Sequence, residues 1–567
     1  MKRCPECRRD YYDDSLLYCL DDGTALLEGP ATAPSNDEPR TAILHDTAAP
    51  SEAATRAQIS MPLADNVGGI GPTIRRMGPR IIVSIVVVGV ILVGGLLGIR
   101  YFRADAKQIN SIAVMPFVNE SGNSDLEYLT DGMTDTLISS LSQIPNLSVK
   151  AHTSVFRYKG KDTSPKTIAT ELGAQAILNG RVNQRGDQLT VNVELIDPQT
   201  ENVLWSEKYD RKQTDVVALQ SEIAKDVSSK LRSRLSGDDQ AKIAKSYTVD
   251  PEANQLYLKG EFYWNKRGKD NLLRAAEYFK QAVEKDPSYA LAYGGLAKTY
   301  TLYPDYSVDS PANSYPKSKA AAMKALELDD TIVEAHCALG RYYNYWEWDR
   351  GQAEKEYRRA IEIKPNYSTA HHWLGSDILT QLGRFDEAVA EAGRAQELDP
   401  LSPIIAVNYG DTLYYARRLD EAIASYRKTL ELDPDFQPTN NGLGYALAVR
   451  GEYDESIRRL RKSVEVSGDP VSKGYLAWAL GKSGDKKGAV ELVDDMKKQS
   501  ANGYVPSYAL ALAYTALGDK DNAFLWLNRE IDDHGTGGAT LGVDPQFDDL
   551  KNDPRFKEAL KRVNLAQ

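Results

Sequence analysis

The sequence predicts a multidomain chain: a small zinc ribbon, a single transmembrane helix, an α+β domain and an all-α solenoid of stacked helix pairs. Three observations predict it. At 567 residues the chain is longer than one hydrophobic core usually holds. One uncharged apolar run, Ile81 to Ile99, interrupts an otherwise polar chain. Beyond it, Pro365, Pro400 and Pro434 stand 35 and 34 residues apart, each followed by a helix-like run.

Residues 1–27 open with CPECRRDYYDDSLLYCLDDG, three of the four cysteines of the chain. Cys4-x2-Cys7 brings two thiolates onto one tetrahedral ion, and Cys19-x2-Asp22 a dozen residues later supplies two further ligands. The expected metal set is therefore Cys4, Cys7, Cys19 and Asp22, with Asp21 as the alternative fourth ligand, holding a structural zinc. Gly23 permits the sharp turn that follows. The segment resembles a zinc ribbon whose final Cys-Gly has become Asp-Gly. The competing reading makes Cys4 and Cys7 a redox pair or idle thiols, but so short a segment has no other means of holding a fold.

Residues 28–78 are rich in Pro and Ala, poor in aromatics and without periodicity, the composition of a disordered tether. Residues 81–99 follow, and at about 1.5 Å per residue they match the hydrocarbon thickness of a bilayer. The run lies too far from the N-terminus for an ordinary signal peptide. Arg75, Arg76 and Arg80 before it balance Arg100, Arg103 and Lys107 after it, so charge alone does not orient the span. Cysteine-held zinc favours a reducing compartment, which places the N-terminus in the cytoplasm and the C-terminal domains outside. Gly89, Gly94, Gly95 and Gly98 would allow close packing of two spans in a homodimer.

Residues 110–236 read as the α+β domain. Ile112–Val118 is a short buried strand; Leu126, Leu129, Met133, Leu137 and Leu141 form one helical stripe; a second strand is expected over Leu147–Phe156. Pro165–Leu172 is a helix with Gly173 as its C-cap. Leu189, Val191, Val193 and Leu195 alternate with polar residues, and the turns at Arg185–Asp187 and Asp197–Gln199 fold antiparallel strands. The run from Val216 to Leu235 is an amphipathic helix. The stretches IAVMPFVNES, YLTDGMTDTLISSLSQIPNLSV, ELGAQAILNGRV and LWSEKYDR resemble the TolB amino-terminal-like domain of bacterial envelope and signalling proteins. That resemblance implies an extracytoplasmic binding or assembly role without a catalytic centre.

Residues 250–532 carry the repeats. One unit runs Tyr409-Gly410, Leu413, Ala422, Tyr426 and LELDP ending at Pro434, and the next places Leu443-Gly444, Leu447, Gly451, Tyr453 and Ser456 alike. The spacing is that of tetratricopeptide repeats, in about eight units. Residues 533–567 are expected to cap the array with a polar face. First helices line the concave groove of such solenoids, so the candidate partner contacts are Arg341, Asn344, Asp411, Tyr414, Tyr415, Asn441 and Tyr445. His371 and His372, adjacent on a helix, cannot meet one ion and read as packing and surface residues.

The formal net charge of −11 and pI near 5.3 argue against a general nucleic-acid binder. The sequence contains no phosphate-binding loop, nucleophile elbow, zinc-protease or kinase signature. The expected function is a membrane-tethered, non-enzymatic adaptor that binds protein or peptide partners through its solenoid. The alternative is a single-span signalling sensor whose outer domain binds a ligand and whose ribbon recruits a cytoplasmic effector.

Overall fold

The computed structural model describes residues 109–565 except 123–125, 145–146, 232–247, 249, 307 and 502–504, together with three two-residue strands near the N-terminus. These are β1 (Lys2–Arg3), β2 (Asp10–Tyr11) and β3 (Leu27–Glu28), with β1 antiparallel to both others. The proposed zinc ligands Cys4, Cys7, Cys19 and Asp22, the tether and the 81–99 span lie outside the described residues.

The α+β domain is built on a mixed sheet. Its strands are β4 (Ser111–Val114), β5 (Val118–Asn119), β6 (Ser148–Val149), β7 (Ala176–Arg185), β8 (Gln188–Ile196) and β9 (Val203–Lys212). The order is β6-β4-β7-β8-β9, with β5 also on β7; β4 runs parallel to β6 and β7, and β7, β8 and β9 are antiparallel. Helices α1 (Glu127–Leu141) and α4 (Val216–Leu231) bury Leu129, Met133, Leu137, Leu219, Ile223 and Val227 on one face. The short helices α2 (His152–Phe156) and α3 (Pro165–Leu172) cover Ala113 and Ile177 on the other. Gly173 ends α3 in the left-handed conformation, φ +62°, as its C-cap position requires.

Two expected strands differ. Ile112–Val118 is divided between β4 and β5 around Pro116, which has no N–H to donate to a ladder. The stretch expected as one strand over Leu147–Phe156 is extended only at β6 and then turns helical. Long-range contacts outweigh the β-propensity of Thr153, Val155 and Phe156 there. His152 Nδ1 lies 2.6 Å from Asp135 Oδ1, and its ring stacks on Phe156 at 3.7 Å. Ser154 Oγ donates to Asp399 of the helical array at 2.5 Å.

The array holds eight helix pairs among the described residues. The first helices are α5 (Pro251–Lys266), α7 (Ala290–Tyr300), α9 (Val333–Tyr345), α11 (Ser368–Trp373), α13 (Pro403–Tyr415), α15 (Gln437–Arg450), α17 (Pro470–Ser483) and α19 (Ser507–Leu517). Their partners are α6 (Lys269–Lys285), α8 (Pro311–Leu328), α10 (Arg350–Ile363), α12 (Phe385–Leu398), α14 (Leu419–Leu432), α16 (Tyr453–Ser467), α18 (Lys486–Ser500) and α20 (Lys520–Asp532). A π-helical turn, Leu374–Leu379, continues α11.

Glycines set the helix spacing. The Phe279 ring of α6 sits against Gly260 of α5 and Gly295 of α7, where an added Cβ would come within 2.5 and 2.6 Å of it. Tyr426 of α14 fills the notch between Gly410 and Gly442 in the same way, at 2.5 Å from each hypothetical Cβ. Tyr357 on Gly340 and Leu460 on Gly444 repeat the contact. One large side chain thus occupies space that a methyl group would take from it.

The α+β domain is bound along one edge of the array. Lys150 Nζ donates to Glu397 O at 2.9 Å near the C-terminus of α12, and Arg157 donates to Leu432 O at 3.2 Å at the end of α14. Both put a cation on the negative end of a helix. Ala151 N donates to Leu398 O at 3.1 Å, and Asn366 Nδ2 to Leu147 O at 2.6 Å. Contacts at successive turns between pairs fix the domain to the repeats rather than leaving it on a tether.

The C-terminal tail differs from a polar end cap. The helix α21 (Pro554–Arg562) packs on α20, but the segment before it runs back across the array and buries Phe547 and Leu550. His534 stacks on Trp346 at 4.3 Å, and Arg350 NH1 donates to Val563 O at 2.5 Å. Arg417 makes two 2.8 Å bonds to the Asp548 carboxylate, and Trp478 Nε1 donates to Gln546 O at 3.1 Å. The tail therefore ties the third pair to the fifth, seventh and eighth.

Candidate functional site

The first helices and the returning tail enclose a cavity of about 750 Å³. Its walls come from the segment preceding α8, from first helices of pairs three to eight, and from the tail turn around His534 and Gly537. Five tyrosines line it: Tyr315, Tyr345, Tyr415, Tyr475 and Tyr508. So do the carboxyl groups of Asp305, Asp377, Asp411 and Glu530, while no lysine or arginine does among the described residues.

The carboxyl groups are held in distinct ways. Arg341, 6% exposed, pairs with Asp305 at 2.7 Å and with Asp377 at 3.6 Å. Its guanidinium lies over Tyr345 at 4.8 Å and Trp373 at 5.2 Å. Burial raises both Asp305 and Asp377 above the usual carboxylate range, even with Arg341 beside them. Asp377 sits in the π-helical turn, a local widening often found where a helix serves a site. Gly375 in that turn has no room for a Cβ, which would meet Ala392 N at 2.7 Å.

Asp411 accepts hydrogen bonds from the hydroxyls of Tyr426, at 2.5 Å, and Tyr445. Burial pushes it up to about 6. Asp544, in the tail, accepts from Tyr508 OH at 2.6 Å and from Gln546 N at 2.9 Å, and burial raises it to about 6 as well. Glu530 accepts from the backbone N–H of Tyr508 at 2.9 Å and Gly537 at 3.1 Å; burial pushes it to about 7. Glu530 thus fastens the tail turn to the eighth pair. A row of tyrosines backs the wall: Tyr414 to Tyr445 at 4.6 Å, Tyr445 to Tyr475 at 5.1 Å and Tyr475 to Tyr508 at 6.3 Å.

Of the seven residues the sequence singles out, Asp411 and Tyr415 line the cavity. Arg341, Asn344, Tyr414, Asn441 and Tyr445 are buried and do not. Arg341 is committed to two aspartates and Tyr445 to Asp411, so these two shape the wall from within. His371 and His372 are both buried rather than at the surface. His371 spans Glu391 at 2.6 Å and Pro365 O at 3.0 Å. His372 meets Asn408 at 2.6 Å, and burial drives it down to about 3, so it stays neutral. The lining residues that sequence reasoning misses include Tyr345, Asp377, Gln381, Tyr475 and Tyr508. The repeat spacing carries a signal for two of them: Asp377 and Gln381 each stand 34 residues before Asp411 and Tyr415.

Residues 376–435 and 407–470 match a family model described as tetratricopeptide repeat. The helical half is a tetratricopeptide repeat array. Residues 107–226 match the model of the HilA/YgeH-like transcriptional regulator, second domain; the match covers the α+β segment for which the sequence suggests a TolB amino-terminal-like domain. A Rhizobium meliloti (strain 1021) protein named "Putative adenylate cyclase 3" is 30% identical over 230 residues, which is 40% of this chain and 39% of that protein's length. Among solved structures, the array is similar to YrrB, a TPR protein with an unusual peptide-binding site, at 23% identity and TM-score 0.25, covering 34% of this chain and 94% of that one. It is also similar to Pseudomonas aeruginosa pilF at 20% identity and TM-score 0.31, covering 38% and 93%. PilW, a type IV pilus biogenesis factor, matches at 17% identity and TM-score 0.31, covering 36% and 92%.

The raised carboxyl groups have a consequence for stability. A carboxyl whose folded value lies above its unfolded one binds its proton more tightly in the native state. Its stabilisation is complete below pH about 4 and is lost as pH rises through about 6. Asp411→Asn removes this dependence, so the fall in thermal midpoint between pH 4.5 and 7.5 should be smaller in the variant than in the parent. The corresponding difference is roughly 1–3 kcal/mol. Equal falls in the two proteins would show that Asp411 ionises freely in the fold.

Proposed function

We propose that the chain is a membrane-tethered, non-enzymatic adaptor that binds a protein or peptide segment in the cavity of its tetratricopeptide array. The observation that carries this reading is the cavity itself. First helices of six successive pairs and the tail converge on one space, with tyrosine and carboxyl groups facing inward. Clefts of this size and mixed lining are usual for bound ligands and peptide anchors. The carboxyl groups on the wall are engaged in hydrogen bonds and ion pairs with tyrosines, backbone N–H groups and Arg341. The repeat-family match supports the same reading, because stacked helix pairs present extended concave binding surfaces. The partial relative named as a cyclase shares two fifths of this chain, and its named activity stays with that protein.

In this proposal residues 81–99 anchor the chain in the bacterial cytoplasmic membrane, and the α+β domain, TolB-like in its motifs, follows the span on the outer side. The N-terminal residues form a zinc-held head in the cytoplasm through Cys4, Cys7, Cys19 and Asp22. Pairing of β1 with β2 on either side of the Cys4-x2-Cys7 stretch is the fold element that supports a ribbon. One zinc per chain by metal analysis, lost in Cys19→Ser, is the expected result; zinc retained in that variant would contradict the ligand set.

Orientation needs an exposed reporter. Cys337 is only 1% exposed, and burial raises its thiol, so it is inert to an impermeant reagent. Leu525, 61% exposed, is suited to replacement. Leu525→Cys should be labelled by an impermeant maleimide on intact cells whose outer envelope has been opened; labelling only after membrane lysis would reverse the orientation.

The adaptor reading itself is tested with a photo-crosslinking residue at position 415 in the full-length protein. A discrete crosslinked partner should appear, and an added Asp377→Asn change should reduce its yield at least fivefold. Undiminished yield, or the same bands from a crosslinker at exposed Val466, would contradict binding in the cavity.

A further inference from the structure

The lining of the cavity also specifies which chemistry it accepts. We infer that the site takes an organic ammonium group, such as a lysine side chain of a bound segment, seated between tyrosine faces and carboxylates. The inference rests on the proposed binding cavity and adds the class of group that fills it.

The lining is unusual in its charge. Asp305, Asp309, Asp377, Asp411, Asp469 and Glu530 face the space, and no lysine or arginine does among the described residues. Of the cations behind the wall, Arg341 is held by Asp305 and Asp377, Arg267 acts on Asp305, and Lys317 pairs with Asp309 at 3.3 Å, which leaves Asp411, Asp469 and Glu530 without one among the described residues. An anionic ligand entering here would meet carboxylates without a free cation, and an apolar one would strip them of water without replacing it. A cation meets neither penalty.

Two groups of the wall are incompletely hydrogen-bonded. Asp377 Oδ2 lies at ion-pair distance from Arg341 and close to Tyr345, but no donor reaches it with hydrogen-bond geometry. Tyr315 is fully buried and lines the same space, and its hydroxyl, though near Arg341, likewise makes no well-formed hydrogen bond. An ammonium brings three N–H donors and no acceptor, which suits a carboxylate oxygen and a hydroxyl oxygen together. The faces of Tyr345, Tyr415, Tyr475 and Tyr508 supply the remaining environment, since aromatic faces attract cations and do so more strongly when water is excluded. Burial holds Asp305, Asp377 and Asp411 toward their neutral forms, and a bound cation would draw them back toward carboxylates.

The test is calorimetric titration of the full-length protein in detergent with four probes: a glycine–lysine hexapeptide, its Nε-acetylated form, a glycine–glutamate hexapeptide, and spermidine. The lysine peptide should bind at one site per chain, and acetylation should weaken it at least tenfold. Asp377→Asn should weaken it roughly tenfold, the scale of a hydrogen bond to a charged group. Tyr415→Leu, at a half-buried ring, should weaken it about threefold, with the thermal midpoint kept as a check on folding. Spermidine binding without peptide binding would keep the ammonium chemistry and make its source a free polyamine. Equal binding of the free and acetylated peptides would overturn the inference. Tighter binding of the glutamate peptide, sensitive to Tyr415→Leu, would also overturn it while leaving the cavity a peptide site. Binding of no probe overturns the ammonium assignment, and the crosslink at position 415 then decides separately whether the cavity binds anything.

Discussion

The spacing of the array depends on one recurring steric contact, a large side chain of a second helix lodged in a glycine notch of the first, in the first, third, fifth and sixth pairs. Phe279 and Tyr426 each touch two such glycines, one in their own pair and one in the next. The same ring thereby sets the spacing within a pair and the step between pairs. Repeating that step curves the stack until its eighth pair and tail meet the third pair, where Arg350 donates to the carbonyl of Val563. The cavity is a product of this closure and not a feature of any single repeat.

Closure also determines the electrostatics. In an open groove the aspartates of the first helices would face water and ionise freely. With the tail in place, Asp411 of the array and Asp544 of the tail itself rely on tyrosine hydroxyls, and Asp305 and Asp377 share one guanidinium. Truncating either partner of such a buried pair leaves an uncompensated charge, so the arrangement constrains the conformation more than it stabilises it. The α+β domain is fastened to successive inter-pair turns along that edge by Lys150, Arg157 and Asn366.

Much of the fold was legible in the sequence because it is periodic or locally punctuated. The alternation from Leu189 to Leu195, the Gly173 cap and the proline spacing each report local geometry that tertiary contacts do not disturb. The helix at His152–Phe156 was not legible, since its conformation depends on Asp135 and Asp399, the latter 245 residues away from Ser154. The tail's return was hidden for the same reason: nothing in PQFDDLKNDPRFKEALKRVN says that it meets Trp348 and Arg350. For the site, the stripe that carries Asp411 and Tyr415 was readable from first-helix position. The burial of Arg341 within the wall is not readable in this way, because it depends on Asp305, which lies in an insertion outside the repeat pattern. The metal ligands and the span stand on composition and spacing alone.

The most direct test of the notch is a double-mutant cycle on Gly410 and Tyr426. If the ring creates the demand for glycine, Gly410→Ala should destabilise the parent by about 1–3 kcal/mol in denaturant titration, and much less in a Tyr426→Ala background, where no side chain beyond Cβ enters the notch. A cost for Gly410→Ala that is the same in both backgrounds would contradict the account, because the glycine would then answer to something other than the ring.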